Sequence, residues 1–409
     1  MNYKNKKNTL AFALILGTFS ALGPFTVDMY LASLPQLAVF FGTSAAAVQA
    51  SLTTSLLGLG LGQLIMGPLS DIYGRRPPLL LSMILYILSS IGCAMAPDIQ
   101  WFIALRFIQG IAASAGLVIS RAIVRDRFSG VEMTKFISLL TMISNVAPLI
   151  SPTAGSAVMS YSSWVGVFIF LGGLGIALTG ITVWGMRESL SVQQRVPSSP
   201  RTLMKNYNSL FRKRTFMGYA LVNGILFAGV FAYVAGTPFI YQNIYGVSPQ
   251  LFSILFASNG LAIIIGAQFV KVLAGRVTES RLFLLGLFMA FISSAAILII
   301  VLVHGTLLAM FISIFLFASS IGIIGPISFT LAMESQGHTA GSASAVLGTM
   351  QFALGAVASP LVGMAGENSA LPFGIIIFST SVFSVITYVV LIKGGTINSG
   401  VKNRYDSNT

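Results

Sequence analysis

Twelve runs of mostly apolar residues, each about 20 long and separated by short polar turns, dominate this chain. A helix of that length matches a hydrocarbon core of about 30 Å, so the sequence predicts an all-α membrane protein. The spans are expected near residues 9–34, 45–70, 79–96, 101–124, 137–161, 164–185, 215–239, 250–273, 282–303, 307–332, 342–365 and 372–392. Of the 409 residues, 55% are hydrophobic and only 8% charged; soluble domains carry about 25% charged residues. Such a chain cannot clothe itself for water. Its 41 glycines suit a bilayer, where small residues let helices approach closely. The run from Thr9 to about Leu34 is too long for a signal h-region, so it is expected to be retained as the first span.

The basic residues test the count. Lys4, Lys6 and Lys7 precede span 1; Arg75 and Arg76 follow span 2; Arg121, Arg125, Arg127 and Lys135 surround the turn between spans 4 and 5. Seven more, from Arg187 to Arg214, fill the central loop. Lys271, Arg276 and Arg281 flank the turn between spans 8 and 9, and Lys393, Lys402 and Arg404 follow span 12. If every span crosses once, all of these fall on one side. That side is expected to be cytoplasmic, with both termini inside. The net charge of +13 is thus spread through turns rather than gathered in a patch with aromatics, which argues against a nucleic-acid partner.

The Pro-, Ser- and Arg-containing central loop divides the chain into an expected six-span half (1–186), a linker (187–214), a second six-span half (215–393) and a tail (394–409). Two groups of six suit a transporter built from repeats. Cys93 is alone, His304 and His338 lie far apart, and the ten acidic residues are scattered, so no metal site or catalytic cluster is expected and the chain reads as a non-enzyme. Gly58-Leu59-Gly60-Leu61-Gly62 lies inside a span without the strand and Lys-Ser/Thr of a phosphate loop; it reads as a packing face.

Two charged residues, Asp28 and Arg106, lie well within spans. At about 1.5 Å per residue, both are roughly 8–9 Å from the outer ends of their helices. Equal depth and the cost of an isolated charge in hydrocarbon predict that they pair. An acid that alternately faces two aqueous sides could carry a proton, with Arg106 tuning it.

Several segments resemble a known family. Gly67-Pro68-Leu69-Ser70-Asp71-Ile72-Tyr73-Gly74-Arg75-Arg76, between spans 2 and 3, resembles the signature loop of the major facilitator superfamily. Asp28-Met29-Tyr30-Leu31-Ala32-Ser33-Leu34-Pro35 and Leu105-Arg106-Phe107-Ile108-Gln109-Gly110 resemble the span-1 and span-4 motifs of drug:proton antiporters. Ala147-Pro148-Leu149-Ile150-Ser151-Pro152-Thr153-Ala154-Gly155 is similar to their span-5 motif. With Gly341 to Gln351 in span 11, the set looks like the bicyclomycin-resistance (Bcr/CflA) subfamily. The resemblance implies the major facilitator fold of twelve helices in two six-helix halves. It also implies export of small hydrophobic drug-like compounds against protons in a bacterial cytoplasmic membrane, by a monomer that uses the proton gradient and no cofactor. It assigns proton coupling to Asp28 and Arg106, a gating network to Gly67, Asp71, Gly74, Arg75, Arg76 and Asp126, and antiporter packing to Pro148, Pro152 and Gly155. Uncharged polar and aromatic residues in the spans, Tyr30, Gln109, Asn145, Asn223, Phe227, Tyr233 and Gln351, are expected to line the substrate cavity. Within the same superfamily, a proton-driven metabolite, amino-acid or peptide carrier is the alternative; a passive channel would not need a buried acid.

Overall fold

Hydropathy translates into helix almost throughout. The computed structural model describes residues 6–128, 130–195, 207–273, 276–334, 340–365 and 369–393. Linker residues 196–206 and tail residues 394–409 lie outside them. The described helices are α1 (Lys6–Asp28), α2 (Leu34–Phe40), α3 (Ala45–Tyr73), α4 (Arg76–Ala94), α5 (Ile99–Arg127), α6 (Gly130–Tyr161) and α7 (Trp164–Gly180). They continue with α8 (Arg214–Phe239), α9 (Pro249–Leu273), α10 (Glu279–Leu302), α11 (Leu307–Met333), α12 (Ala340–Val362) and α13 (Leu371–Thr387). Eleven segments are long and apolar enough to cross a membrane among the described residues; α6, with Pro148 and Pro152 inside it, supplies the remaining span.

Local chemistry sets the helix ends. The Asp98 carboxylate caps α5 by accepting from Trp101 N at 2.9 Å, and the Ser163 hydroxyl caps α7 through Val165 N at 3.3 Å. Each satisfies an N–H that a helix start leaves orphaned. The first span departs from a single helix. α1 contains Pro24 and ends at Asp28, a short 3-10 turn covers Leu31–Ser33, and α2 restarts with Pro35 in its first turn. The expected continuous helix over 9–34 is therefore broken at its acid. Proline removes a backbone donor and clashes with the preceding turn, and the Ser33 hydroxyl stabilises the break by donating to the Tyr30 carbonyl at 2.6 Å.

The chain groups into two compact units. One holds residues 1–198, 234–260 and 363–369; the other holds 199–233, 261–362 and 370–409. In the first, α3 and α5 pack backbone to backbone, because a Cβ at Gly58 would meet the Phe107 carbonyl and one at Gly110 would meet that of Ser55. In the second, the same device recurs: Gly266 of α9 faces the Ser319 carbonyl and Gly322 of α11 faces that of Ile263. Close glycine contacts of this kind replace the hydrophobic drive that lipid removes, and their recurrence in spans 2 and 4 and in spans 8 and 10 is the clearest internal repeat.

Candidate functional site

The break after Asp28 builds the first site. The last four carbonyls of a helix have no partner within it and carry its negative dipole end. The Thr26 carbonyl is one of these, and Arg106 of α5 donates to it from Nη2 at 2.9 Å. Arg106 Nη1 donates to Gln109 Oε1 at 2.6 Å, and Gln109 Nε2 donates in turn to Ser90 Oγ at 2.8 Å. The guanidinium carbon lies 4.1 Å from the Tyr30 ring centre and 5.6 Å from that of Phe168. Arg106 is fully buried, and its Nε has no hydrogen-bond partner among the described residues. Hydrogen bonds, a helix dipole and aromatic faces thus hold this cation in place of a carboxylate.

The expected Asp28–Arg106 ion pair is not formed. The ion pairs among the described residues both belong to Arg75. The break in span 1 offers Arg106 a free carbonyl, which it takes from Nη2 at 2.9 Å. Asp28 is 7% exposed, and the Ser151 hydroxyl of α6 lies beside it, short of a hydrogen bond of ordinary geometry. Gly155, one turn after Ser151, lies so close to Met29 that a Cβ would overlap the Met29 carbonyl. The span-5 motif therefore packs directly on the break.

The expected cavity residues have varied surroundings. Tyr30 and Gln109 are fully buried and belong to the shell of Arg106. Asn145 lies on α6, its side chain outside the described residues. Asn223, Phe227 and Tyr233 lie on α8 and Gln351 on α12, in the second unit, where Phe227 and Phe352 flank Phe231 at 6.4 and 5.7 Å.

The second site lies at the basic end of the first unit. Arg75 donates to both oxygens of Asp126, at 2.8 and 3.1 Å, to Asp71 at 2.5 Å and to Ser70 Oγ at 2.8 Å. This joins the α3–α4 turn to the end of α5 with the bidentate geometry that favours arginine over lysine. Burial alone would lower the Arg75 guanidinium, but Asp126 and Asp71 outweigh it and raise it above its ordinary value. Arg76 contacts neither acid: it donates to the carbonyls of Thr182 and Val183 at 3.3 and 2.7 Å, at the end of span 6.

Glu188 is the residue that the sequence reading missed. Its carboxylate accepts from the backbone N–H of Arg75 at 2.8 Å and of Arg76 at 3.1 Å, capping the start of α4 from beyond span 6. Ser189 adds a hydroxyl to Asp126 at 2.9 Å. Burial would raise the Glu188 carboxyl, but backbone donors from Arg75, Leu190, Arg76 and Ser189 hold it below its usual value. Gly74 makes room for this clasp: its φ is +92°, and a Cβ there would sit 2.5 Å from Glu188 Oε2. Gly67 differs, since the nearest atom to a Cβ is Val118 Cγ1 at 3.7 Å. One signal in the sequence could have revealed Glu188: it is an acid among the seven basic residues of the linker.

Comparison with known proteins agrees with this architecture. The sequence pattern described as the Major Facilitator Superfamily matches residues 13–360. The chain belongs to the major facilitator superfamily. It is a transporter rather than an enzyme. An uncharacterized MFS-type transporter, YdgK of Bacillus subtilis (strain 168), is 47% identical over 389 residues, covering 95% of this chain and 96% of the relative. A bicyclomycin resistance protein homolog of Haemophilus influenzae is 29% identical over 386 residues, covering 94% and 97%. Among solved structures, a bacterial homolog of the human lysosomal transporter Spinster superposes with a TM-score of 0.72 at 15% identity, covering 95% of this chain and 96% of the other. A D-xylose–proton symporter superposes with 0.71 at 15%, covering 92% and 97%. These two show the shared fold.

Proposed function

We propose that this transporter is a drug:proton antiporter of the bicyclomycin-resistance (Bcr/CflA) type, exporting small hydrophobic compounds across a bacterial cytoplasmic membrane. The observation that carries this reading is Asp28: a carboxyl inside a span, at a helix break, without a cationic partner among the described residues. An ionisable residue in that setting is costly and marks function by default. Without a salt bridge to hold it ionised, Asp28 can be buried as the neutral acid and can release its proton when water or substrate reaches it. The proton enters from the outer aqueous side, bonds to the carboxylate, and leaves to the inner side when substrate binds. Arg106, satisfied by Thr26 and Gln109, keeps its charge throughout and couples the acid to span 4 through the break itself.

The Arg75–Asp71–Asp126 cluster acts as a gate at the cytoplasmic end, a discrete contact that two conformations make or break. The excess of basic residues in the turns supports a cytoplasmic position for that end. The proton gradient supplies the energy, no cofactor takes part, and the protein works as a monomer. Relatives named for bicyclomycin and multidrug resistance support the substrate class.

A drug-sensitive strain tests the reading. Cells making the wild-type chain should tolerate more of a phenicol or a bicyclic peptide antibiotic, and cells making Asp28→Asn at equal membrane abundance should not. Equal tolerance from the mutant would remove Asp28 from the mechanism. A gradient that drives uptake instead of export would favour the metabolite-carrier alternative.

A further inference from the structure

The span-5 Pro/Gly motif does more than bend α6. We infer that Ser151, on that motif, is a positioning residue for the proton step, hydrogen-bonding the Asp28 carboxyl in both of its protonation states. The inference rests on Asp28 being the proton carrier.

The register of α1 against α6 places the two residues together. Gly17 packs on Ile143, and Gly155 packs on Met29. Residue 143 against 17 and 155 against 29 give the same offset of 126, so these parallel helices run in register over three turns. That offset sets Ser151 level with Phe25, less than one turn from Asp28. Helical side chains lean toward their own N-terminus, which brings the longer Asp28 side chain back toward Ser151.

The hydroxyl is also unusually available. Serine inside a helix commonly donates to the carbonyl three or four residues earlier. Ser156 and Ser160, on the same helix, do so, to Thr153 and Ser156. Ser151 is fully buried, yet its Oγ has no hydrogen-bond partner among the described residues. A buried, unpaired hydroxyl facing a buried carboxyl needs only a small rotation to serve it. The close approach at Gly155 holds the two helices at the distance that permits this.

Chemistry favours serine over a cation here. A hydroxyl donates to the carboxylate and accepts from the carboxylic acid, so the contact survives protonation and release. Arginine could serve only the charged state. The other charged groups on α1 and its neighbours are placed elsewhere. Lys6 and Lys7 start α1, Asp71 ends α3, Glu132 and Lys135 lie in the first turns of α6, and α7 has none. On α5, Arg106 is engaged with Thr26, and Arg121, Arg125, Asp126 and Arg127 lie in its last two turns.

The test is an infrared titration of the purified, lipid-reconstituted protein, reading the protonated-carboxyl band that disappears in Asp28→Asn. The charge-assisted bond to the carboxylate is stronger than the bond to the neutral acid, so losing both in Ser151→Ala should move the midpoint of that band to higher pH by about one unit. The band should also shift to higher frequency. Ser151→Thr, which keeps the hydroxyl, should titrate like wild type, and this comparison separates hydrogen bonding from packing. An unchanged midpoint and frequency in Ser151→Ala would overturn the inference, as would equal changes in both variants. If wild type shows no band dependent on Asp28, the proton-carrier reading itself fails and this one with it. Should Ser151→Ala insert poorly, Ser151→Cys substitutes a weak donor of similar size, with a smaller shift in the same direction expected and no shift counting against the inference.

Discussion

Arg106 Nη2 lies 2.9 Å from the Thr26 carbonyl, two residues before Asp28, and not on the Asp28 carboxylate. The cation of span 4 is thus tied to the backbone of span 1 at the point where that helix ends. In the proposed mechanism, a proton arriving on Asp28 need not break a salt bridge, so the carboxyl can change state while the span 1–span 4 contact persists.

Removing the guanidinium should therefore weaken the fold as well as transport. Arg106→Ala leaves the Thr26 carbonyl and Gln109 without their donor, at a cost of about 1–3 kcal/mol for each buried group. Thermal unfolding in detergent should fall accordingly. Arg106→Lys keeps the charge but cannot bridge Thr26 and Gln109 together. Its unfolding midpoint should lie between those of wild type and Arg106→Ala.

The two acids of the basic-end cluster should not be equivalent. Asp126 accepts two bonds from Arg75 and one from Ser189, with its side chain 9% exposed; Asp71 accepts one, at 38%. Breaking a buried pair costs about 3–5 kcal/mol, whereas exposed pairs contribute about 0–1 kcal/mol. Asp126→Asn should lower stability clearly, and Asp71→Asn should change it little, in a denaturation series on the two purified variants.

Glu188 should confer a pH-dependent advantage. Its carboxyl is held below the ordinary value in the folded state. Its contribution is therefore complete above the unfolded value of about 4.3 and is lost as pH falls through the lower folded value. Wild type should unfold at a higher temperature than Glu188→Gln at pH 7, and the two should converge as pH falls through the lowered folded-state value. A constant difference across that range would mean that the charge is not what caps α4.

Among the glycines, Gly74→Ala and Gly110→Leu should be damaging and Gly67→Ala mild. Gly74 combines a left-handed φ with the Glu188 contact, Gly110 touches the Ser55 carbonyl, and a Cβ at Gly67 would make only an ordinary contact with Val118. The strained position alone should cost about 1–3 kcal/mol. Folded yield in membranes checks the order.

Much of this architecture is legible in the sequence because hydropathy acts through length and position alone. The spans predicted at 45–70, 101–124 and 307–332 became Ala45–Tyr73, Ile99–Arg127 and Leu307–Met333. Arg75 meets Asp71 and Asp126 as the loop motif implies. The Asp28–Arg106 pair failed because depth along a helix does not fix direction around it, and because a helix end supplies carbonyls that compete with a carboxylate for arginine. Glu188 escaped notice because it stands 113 residues from Arg75 and bonds to backbone N–H groups, which leave no mark in a pattern of side chains.

Proton flux in proteoliposomes tests the central claim most directly. Wild-type protein is reconstituted with a pH-sensitive dye in the lumen, and a phenicol is added on one side under an imposed pH gradient. Drug-dependent proton movement opposite to the drug is expected, with none in Asp28→Asn that has inserted equally well. Counterflow in Asp28→Asn equal to wild type, or drug movement without protons in wild type, would contradict the account.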